Sequence, residues 1–449
     1  MVIHPSDNVE VRDDGHKYAR RDIAEGENII KYGMPIGHAT RAIAKGEHVH
    51  VDNVKTNLGE VLEYRYEPSF ADVPRVPAPT IRAYRRPDGR IGIRNDLWVI
   101  PLVGCVNRLA ERLAARVGGL ALTHPYGCSQ MGEDHERTAN MLAQFCHHPN
   151  AGGVLVVALG CENNTLENFK VRLGDCSKTN IRFLRAQDPG DEFEKGLALL
   201  AELDAARPKT REAVSASELV VGLKCGGSDG FSGLTANPLV GRFSDWLAAR
   251  GGSTILTEVP EMFGAETLLM KRCRTRDVFD KCVKMINDFK GYYAAHNQVC
   301  YENPSPGNKA GGITTLEDKS LGCVQKGGSA PVEDVLGYGE TVKRHGLSLL
   351  TGPGNDLVAS TVLAAAGCHL ILFTTGRGTP FGCVVPTLKV ATNDALAAKK
   401  PNWIDWNAMS NPDVEAFAQK VLAVASGEKA KNEVCGAQGI AIFKDGVTL

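Results

Sequence analysis

Residues 98–124 have the sequence WVIPLVGCVNRLAERLAARVGGLALTH, and this stretch decides the fold class. It begins with an apolar run that ends at Gly104-Cys105, as expected for a strand buried on both faces. Apolar and charged residues then alternate at helical spacing, and a second apolar run begins at Leu120. A strand, an amphipathic helix and a further strand in succession predict an α/β fold with mostly parallel strands.

The same module recurs along the chain. The tetrapeptide LAAR, a glycine pair and an apolar run occur within residues 113–127 and again within 247–264, and residues 363–378 carry a third version. The apolar run GVLVVALGC (153–161) also ends at a Gly-Cys pair. Because ligands of open α/β sheets bind beyond the carboxyl ends of the strands, we expect the loops that follow these strands to share one edge.

The first 62 residues follow another pattern, which predicts a small β-rich domain. The phrase RDIAEGENI (21–29) is echoed by RAIAKGEHV (41–49), and short strand-like runs accompany both turns. The next segment, 63–81, has four prolines and little periodicity, as is typical of a linker. We therefore divide the chain into a β-rich domain (1–62), a linker (63–81), an α/β domain (82–215) and an α/β catalytic C-terminal domain (216–449).

Composition excludes several classes of protein. The net charge is -1 and 23% of the residues are charged, so bulk electrostatics favours neither a nucleic-acid nor a membrane partner. The polar N-terminus lacks the apolar core of a signal peptide, and we expect a cytoplasmic protein. The 13 cysteines, an odd number with no CxxC pair, argue against a disulfide framework and a zinc ribbon.

Glycine-rich loops at the predicted strand ends carry the residues suited to chemistry. KCGGSDGFSG (224–233) combines a thiol, a hydroxyl and a carboxylate with glycines that let the backbone approach a ligand. NPSPGNKAGG (303–312) holds a lysine that can bind a carboxylate or act as a base, and TTGRG (374–378) holds an arginine suited to bidentate carboxylate binding. The candidates from these loops and from THPYGC (123–128) are His124, Cys128, Cys225, Ser228, Asp229, Asn308, Lys309, Thr375 and Arg377.

Histidines, cysteines and carboxylates together suit a transition metal such as Fe(II), Mn(II) or Zn(II). In the first domain, His48 and His50 alternate on one strand face and could share a ligand, although an exposed edge strand would show the same pattern. The chain has no phosphate-binding GxxxxGK[ST] motif, no GxGxxG after a strand and no GxSxG. A metal-assisted reaction on a small polyhydroxy acid therefore fits better than a nucleotide-driven one.

At these motifs the chain resembles the altronate/galactarate dehydratase family of hydro-lyases. The first unit is similar to the family's SAF domain, and the closing GIAIFKDGVTL also matches. Between them, the motifs THPYGC, LGCENN, CGGSDGFSGLTANP, TEVPEMFGAE, SPGNKAGGITTLEDKSLG and FTTGRGTPFGCVVPTLK occur in the family's order. The resemblance implies loss of water from a sugar acid to give a 2-keto-3-deoxy acid, with divalent iron, Fe(II), or manganese, Mn(II), as cofactor.

This chemistry needs a metal, a base and groups that hold the acid. We expect the metal at His16, His50, Cys128 and Cys225, with the first domain folded over the edge of the catalytic part. We expect catalytic roles for His50, His124, Lys309 and Asp229. We expect substrate contacts from Ser228, Asn308, Thr375 and Arg377. The sequence does not separate base from ligand between His50 and His124.

Three alternatives stay open. The family also contains an enzyme that releases sulfite from 3-sulfolactate, built from separate small and large chains. An iron–sulfur cluster could replace the single metal ion, held by three of the cysteines Cys105, Cys128, Cys161 and Cys225. In the third alternative the chain is not an enzyme but a sugar-acid sensor or binding protein, built on a degenerate enzyme of the family. In each case the expected ligand is a small hydroxy acid, and we expect a homo-oligomer.

Overall fold

The computed structural model describes residues 1–58 and 63–446, and its N-terminal part consists of two small antiparallel sheets. The strands are β1 (Val9–Val11), β2 (Lys17–Ala19), β3 (Asn28–Lys31), β4 (Met34–Ala39), β5 (His48–Val49) and β6 (Val54–Lys55), in the orders β1-β2-β5 and β3-β4-β6. The two echoed phrases meet where Ile23 and Ile43, both buried, form an antiparallel bridge. The predicted domain boundary at residue 62 lies outside the described residues.

The middle part is a four-stranded parallel sheet, order β10-β9-β11-β12, with helices packed on it. A small antiparallel sheet, β13-β7-β8, joins its beginning to its end. The strands are β7 (Thr80–Arg85), β8 (Ile91–Gly92), β9 (Asp96–Pro101), β10 (Leu120–Ala121), β11 (Ala151–Ala158), β12 (Ile181–Arg185) and β13 (Glu212–Ser215). The helices are α1 (Asn107–Val117), α2 (Gly132–Cys146), α3 (Leu166–Leu173) and α4 (Glu192–Ala206).

The C-terminal part is built on a parallel seven-stranded sheet, order β16-β17-β15-β14-β18-β20-β21, beside which β19 pairs with β22. The strands are β14 (Val220–Cys225), β15 (Ser253–Leu256), β16 (Val332–Leu336), β17 (Gly346–Leu350), β18 (Leu370–Thr375), β19 (Gly382–Cys383), β20 (Thr387–Ala391), β21 (Trp406–Asn407) and β22 (Gln438–Gly439). The helices are α5 (Ala236–Ala249), α6 (Glu266–Met270), α7 (Arg276–Ala295), α8 (Pro306–Ala310), α9 (Leu316–Cys323), α10 (Asp356–Ala365), α11 (Asp394–Lys399), α12 (Val414–Ala425) and α13 (Lys431–Val434).

The predicted α/β class with mostly parallel strands is confirmed. Each copy of the recurring LAAR-type module is the end of a helix followed by a strand: α1 with β10, α5 with β15, and α10 with β18. Helix α1 ends where Gly118 adopts a left-handed conformation (φ 63°), which a glycine tolerates without strain. Across the part of the chain that the structure describes, no helix is both long and apolar enough to span a membrane.

The N-terminal sheets are fixed to the C-terminal part by a buried ion-pair network. Asp318 of α9 accepts hydrogen bonds from Lys17 Nζ at 2.8 Å and Lys31 Nζ at 2.9 Å, and all three side chains are buried. The loop before β2 also touches the C-terminal part, because a Cβ atom on Gly230 would lie 1.8 Å from the Gly15 carbonyl oxygen. The sheets therefore hold β2 and β5 in a defined place beside the loops at 228–232 and 310–312.

Candidate active site and metal centre

A cleft of about 830 Å³ lies at the carboxyl edge of the seven-stranded sheet. We call it the strand-end cleft. The loops after β14, β15 and β17 form one wall, and α7, α8, α9 and the C-terminal tail supply the rest. Its polar lining includes Glu261, Asn303, Ser305, Asn308, Lys319, Asn355 and Asp356. The position is the one at which open parallel sheets bind ligands.

Beneath the strand-end cleft, Cys225, Glu261 and Cys323 form a compact buried group, here called the thiol–carboxylate cluster. The two sulfur atoms are 3.3 Å apart, and Glu261 Oε2 lies 3.1 Å from Cys225 Sγ and 3.2 Å from Cys323 Sγ. The hydrogen bond between the thiols, together with burial, raises the pKa of Cys323 well above its usual value. Both sulfur atoms of the cluster thus lie within hydrogen-bonding distance of the same carboxylate oxygen.

Three buried lysines surround the thiol–carboxylate cluster. Lys319 Nζ lies 2.7 Å from Glu261 Oε1, and Lys326 Nζ lies 3.5 Å from Glu258 Oε2. Lys224 forms ion pairs with Glu258 and with Asp356. Burial by itself raises the pKa of Glu261, but the neighbouring ammonium groups, that of Lys319 above all, lower the pKa below its usual range. Each of the three carboxylates Glu258, Glu261 and Asp356 therefore has at least one of these ammonium groups as an ion-pair partner.

A second group of possible ligands, the histidine cluster, consists of His16, His48 and His50, which are half-buried. His16 Nδ1 lies 3.0 Å from His48 Nε2, and the three ring centroids are 5.0–5.4 Å apart. His48 and His50 flank the buried Val49, which pairs with the buried Lys17, so the imidazoles lie on the opposite face of the sheet from Lys17.

The histidine cluster favours neutral imidazoles. Burial, followed by the charge of Lys17, lowers the pKa of His50 to about 4. Burial and the charge of His16 also lower the pKa of His48. Within the described residues, the buried His50 Nδ1 has no hydrogen-bond partner. Neutral imidazole nitrogens are the form that binds Fe(II), Mn(II) and Zn(II), so the donor set fits a divalent ion.

The structure divides the residues predicted to bind metal into three places. His16 and His50 meet, and His48 joins them. Cys225 lies in the thiol–carboxylate cluster, and Cys128 is exposed on the loop between β10 and α2 of the middle part. The predicted folding of the N-terminal domain against the catalytic part is present, but it brings the Gly15–His16 backbone and the Lys17 ammonium group, rather than the imidazoles, against Gly312.

Two of the predicted catalytic residues, His124 and Asp229, use their polar atoms for hydrogen bonds to neighbouring loop residues. His124 is buried, its Nε2 lies 2.8 Å from the Pro101 carbonyl oxygen, and its Nδ1 accepts a hydrogen bond from the Tyr126 N–H. Burial lowers the pKa of His124 to about 4. The buried Asp229 carboxylate accepts hydrogen bonds from the side chains of Ser232, Thr392 and Asn393. This geometry favours positioning roles for both residues.

The predicted substrate contacts lie between the strand-end cleft and a smaller cleft of about 550 Å³, which Gly15, Asp229, Gly311 and Arg377 help to line. Asn308 Nδ2 donates to the Ser228 carbonyl oxygen at 2.8 Å, and Lys309 follows it, half-buried, on α8. In the part of the chain that is described, the buried Ser228 Oγ has no hydrogen-bond partner.

Thr375 and Arg377 complete the predicted substrate set. Thr375 Oγ1 accepts a hydrogen bond from the Gly378 N–H and fixes the turn after β18. Arg377 is exposed on that turn.

Lys319 and Cys323 are the main site residues that the sequence reasoning missed. They are four residues apart on α9, and such spacing puts two side chains on the same face of a helix. The motif LEDKSLGC (316–323) could have pointed to these residues. A lysine on a buried helix needs a partner for its charge, and a cysteine four residues later lies on the same face.

Three family models match the chain. D-galactarate/Altronate dehydratase, C-terminal, covers residues 216–448. The second domain of D-galactarate dehydratase/Altronate hydrolase covers 83–206, and the Altronate/galactarate dehydratase SAF domain covers 3–57. The chain belongs to the altronate/galactarate dehydratase family. It is therefore an enzyme of the hydro-lyase class, and the predicted SAF domain is confirmed.

Curated members of the altronate/galactarate dehydratase family match nearly the whole chain. An altronate dehydratase from Bacillus subtilis is 54% identical, over 98% of this chain and 94% of the relative. An altronate dehydratase from Escherichia coli is 52% identical, over 97% of this chain and 92% of the relative. A galactarate dehydratase (L-threo-forming) from Escherichia coli is 32% identical, over 92% of this chain and 86% of the relative.

Proposed function

We propose that this chain dehydrates altronate to a 2-keto-3-deoxy acid. The observation that carries the proposal is the near-full-length identity of 54% and 52% with two altronate dehydratases, against 32% with a galactarate dehydratase. The strand-end cleft adds physical support. A six-carbon hydroxy acid fits its volume of about 830 Å³. Its amides, hydroxyls and the carboxylates of Glu261 and Asp356 suit several substrate hydroxyls, and the Lys319 ammonium group suits a substrate carboxylate.

The substrate's carboxylate is best placed near Lys319 and the loop of Asn308. Lys319 brings a positive charge to the wall of the cleft, and burial next to Glu261 keeps that charge in place. Ser228 Oγ is buried and Asn308 anchors its loop, so both suit hydroxyl recognition. Arg377, on the turn after β18, is the last residue of the substrate-binding set and binds the end of the acid that lies away from Lys319.

A divalent ion, Fe(II) or Mn(II), would be held by His16, His48 and His50. The fit rests on three imidazoles whose donor atoms lie close together, on the lowered pKa of His48 and His50, and on the unpaired His50 Nδ1 noted above. When bound, such an ion would supply a Lewis acid beside the smaller cleft, which Gly15, the neighbour of His16, helps to line. A Lewis acid stabilises the negative charge that develops as an α-proton leaves. In this proposal His50 is a ligand and not the base.

The base in this proposal is Lys309, half-buried on α8 beside Asn308. The unprotonated amine takes the α-proton, and the electron pair of the C–H bond forms the carbon–carbon double bond. The bond to the β-hydroxyl breaks, and the hydroxyl leaves as water after receiving the proton from the Lys309 ammonium. The enol that results becomes the 2-keto acid in solution.

Product analysis tests the reaction. The chain is purified without oxygen, loaded with Fe(II) or Mn(II), and offered altronate, galactarate and 3-sulfolactate. We expect a 2-oxo acid from altronate, a much slower reaction with galactarate, and no sulfite from 3-sulfolactate. Pyruvate together with sulfite would replace the proposal with the sulfo-lyase reaction, and galactarate as the faster substrate would correct the choice of acid.

A Lys309→Met variant tests the base. We expect kcat to fall by about 100- to 10,000-fold, while KM changes little. The wild type should exchange the substrate's α-proton with deuterated solvent, and the variant should not. Lys284→Met, which removes an exposed lysine on α7, is the matched control and should leave kcat and exchange unchanged. Unchanged α-proton exchange in Lys309→Met would assign the base elsewhere.

A further inference from the structure

Three cysteines of the middle part follow three neighbouring strands. Cys105 comes after β9, Cys128 after β10 and Cys161 after β11, and in each case a glycine precedes the cysteine. Strand β9 lies between β10 and β11, and all three are parallel. Because neighbouring strands are about 4.8 Å apart, the three strand ends lie within about 10 Å of one another.

The loops that carry these cysteines are bonded to each other. The Gly104 N–H donates to the Tyr126 carbonyl oxygen at 2.9 Å, and the Asn164 N–H donates to the Gly127 carbonyl oxygen at 3.0 Å. The packing at Gly127 is so close that a Cβ atom there would lie 1.9 Å from the Leu102 carbonyl oxygen. The three cysteines are therefore presented by one rigid surface and not by three independent loops.

Exposure sets these thiols apart from most others in the chain. Free cysteine is among the most buried residue types, and an exposed thiol is open to oxidation. Of the 13 cysteines, four are exposed, and Cys105, Cys128 and Cys161 are three of them. Cys225, the remaining cysteine considered for a cluster from sequence, is buried in the thiol–carboxylate cluster. The structure thus narrows the four possible cluster ligands to three.

The spacing of the thiols distinguishes a cluster from a single ion. A single ion with metal–sulfur bonds of about 2.3 Å holds its sulfur ligands within about 4.6 Å of one another. Among the residues that the structure describes, the two groups with donor atoms within 4.8 Å of each other are the histidine and thiol–carboxylate clusters, and neither contains Cys105, Cys128 or Cys161. A polynuclear cluster separates its thiolates more widely than one ion does, as this surface requires.

A buried polar side chain borders the same surface. Gln130, which is 5% exposed, accepts a hydrogen bond from the Gly127 N–H through Oε1. Its Nε2 is buried and, within the described ranges, has no partner. An N–H donor of this kind beside a metal–sulfur centre can bond to a sulfur atom and adjust the reduction potential.

We propose that Cys105, Cys128 and Cys161 hold an iron–sulfur cluster of the [4Fe–4S] type. Each thiol loses its proton to solvent and binds one iron, so the fourth iron has no protein thiolate and is open to an oxygen ligand from solvent or from a hydroxy acid. The proposal does not rest on the proposed function. The three cysteines lie in a different domain from the histidine cluster, and the test measures the iron and sulfide bound to the chain and not its activity.

The full-length chain is reconstituted without oxygen using Fe(III), sulfide and a thiol reductant, which reduces part of the iron and so supplies the mixed Fe(II)/Fe(III) content of a [4Fe–4S] cluster. Iron, acid-labile sulfide and visible absorption are then measured for the wild type and for C105S, C128S and C161S. The controls are C435S, at the fourth exposed cysteine, and C225S, at the buried cysteine of the thiol–carboxylate cluster. We expect about four irons and four sulfides per chain in the wild type and both controls, and loss of the cluster in each of the three variants.

Alkylation provides a readout that does not depend on the variants' folding. In the reconstituted wild type, Cys105, Cys128 and Cys161 should be protected from a thiol-alkylating reagent while Cys435 reacts, and removal of iron with a chelator should abolish the protection. Iron bound without labile sulfide would overturn the proposal. So would an unchanged cluster content in the triple serine variant, or full alkylation of all three thiols after reconstitution.

Discussion

The histidine cluster and the thiol–carboxylate cluster each bring three possible metal ligands within 4.8 Å, yet they are built in opposite ways. The histidine cluster is half-buried on the outer face of a small sheet, and all of its donors are imidazole nitrogens. The thiol–carboxylate cluster is buried and lies among Lys224, Lys319 and Lys326. Proximity of donor atoms is therefore not by itself evidence of a metal site.

The balance of charge decides between the two clusters. Within residues 1–58 and 63–446, no ammonium group is bonded to a donor atom of the histidine cluster, and a divalent ion there would give the buried His50 Nδ1 a partner. An ion added to the thiol–carboxylate cluster would have to displace Lys319 from Glu261 and remove the proton from Cys323, whose pKa is raised. We therefore expect the first cluster to bind metal and the second to act as an ion-pair network that shapes the strand-end cleft.

The largest expected effect comes from His50→Ala. Loss of one imidazole leaves two ligands, and we expect kcat to fall by about 1000-fold, or ~4 kcal/mol, because the ion is no longer held. Metal content after dialysis should fall with it. His38→Ala, which removes a histidine of β4 outside the cluster, is the matched control and should keep both metal and activity. Full metal retention in His50→Ala would remove the distinction between the clusters.

Glu261→Gln should destabilise the fold by about 3 kcal/mol. The change leaves the buried ammonium of Lys319 without its carboxylate, and an unpaired buried charge is strongly destabilising. Urea unfolding measures the effect. As a control, Glu133→Gln removes an exposed partner of Arg137, and its effect should stay below about 0.5 kcal/mol. Equal effects from the two changes would mean that the network around Glu261 is not the balanced structure described here.

The two clusters should also respond to different ranges of pH. The pKa of His50 is lowered to about 4 in the folded metal-free chain, against about 6.5 in the unfolded chain. As the pH falls from about 6.5 to 4, the unfolded chain is therefore protonated at His50 before the folded chain is, and the free energy of unfolding decreases. The pKa of Glu261 is lowered, so its contribution is lost only below the usual pKa of 4.5.

Unfolding of the metal-free chain between pH 7 and 3 checks this separation. His50→Asn should flatten the upper part of the profile, and Glu261→Gln should flatten the lower part. Buried histidines such as His124 also contribute to the upper range, so the variant-minus-wild-type difference is the quantity to compare. A His50→Asn profile that differs from the wild type only below pH 4.5 would contradict the assignment.

The smallest expected effect is that of Cys323→Ser. The hydroxyl can keep the hydrogen bond to Glu261 at 3.2 Å, so we expect a loss of about 1 kcal/mol in stability and no change in bound Fe(II) or Mn(II). Thermal unfolding and metal analysis provide the measurements. A drop in metal content comparable to that of His50→Ala would show that the thiol–carboxylate cluster is itself a metal site.

Patterns in the sequence were enough to predict the α/β class, the SAF domain, the recurring helix–strand modules and the family. These features depend on local periodicity and on the order of motifs, and both can be read directly from the sequence. It also placed His48 and His50 on one face, because strand side chains alternate, and it placed glycine–cysteine pairs at strand ends.

Which of these residues come into contact depends instead on how distant elements pack. His16 reaches His48 because β2 pairs with β5 in a register that joins Tyr18 to His48, and a shift of one residue would have turned the imidazoles inward. Cys225 meets Cys323, 98 residues away, because α9 packs below the end of β14. The register of strand pairing and the packing of distant elements depend on the whole core, and no local pattern specifies them.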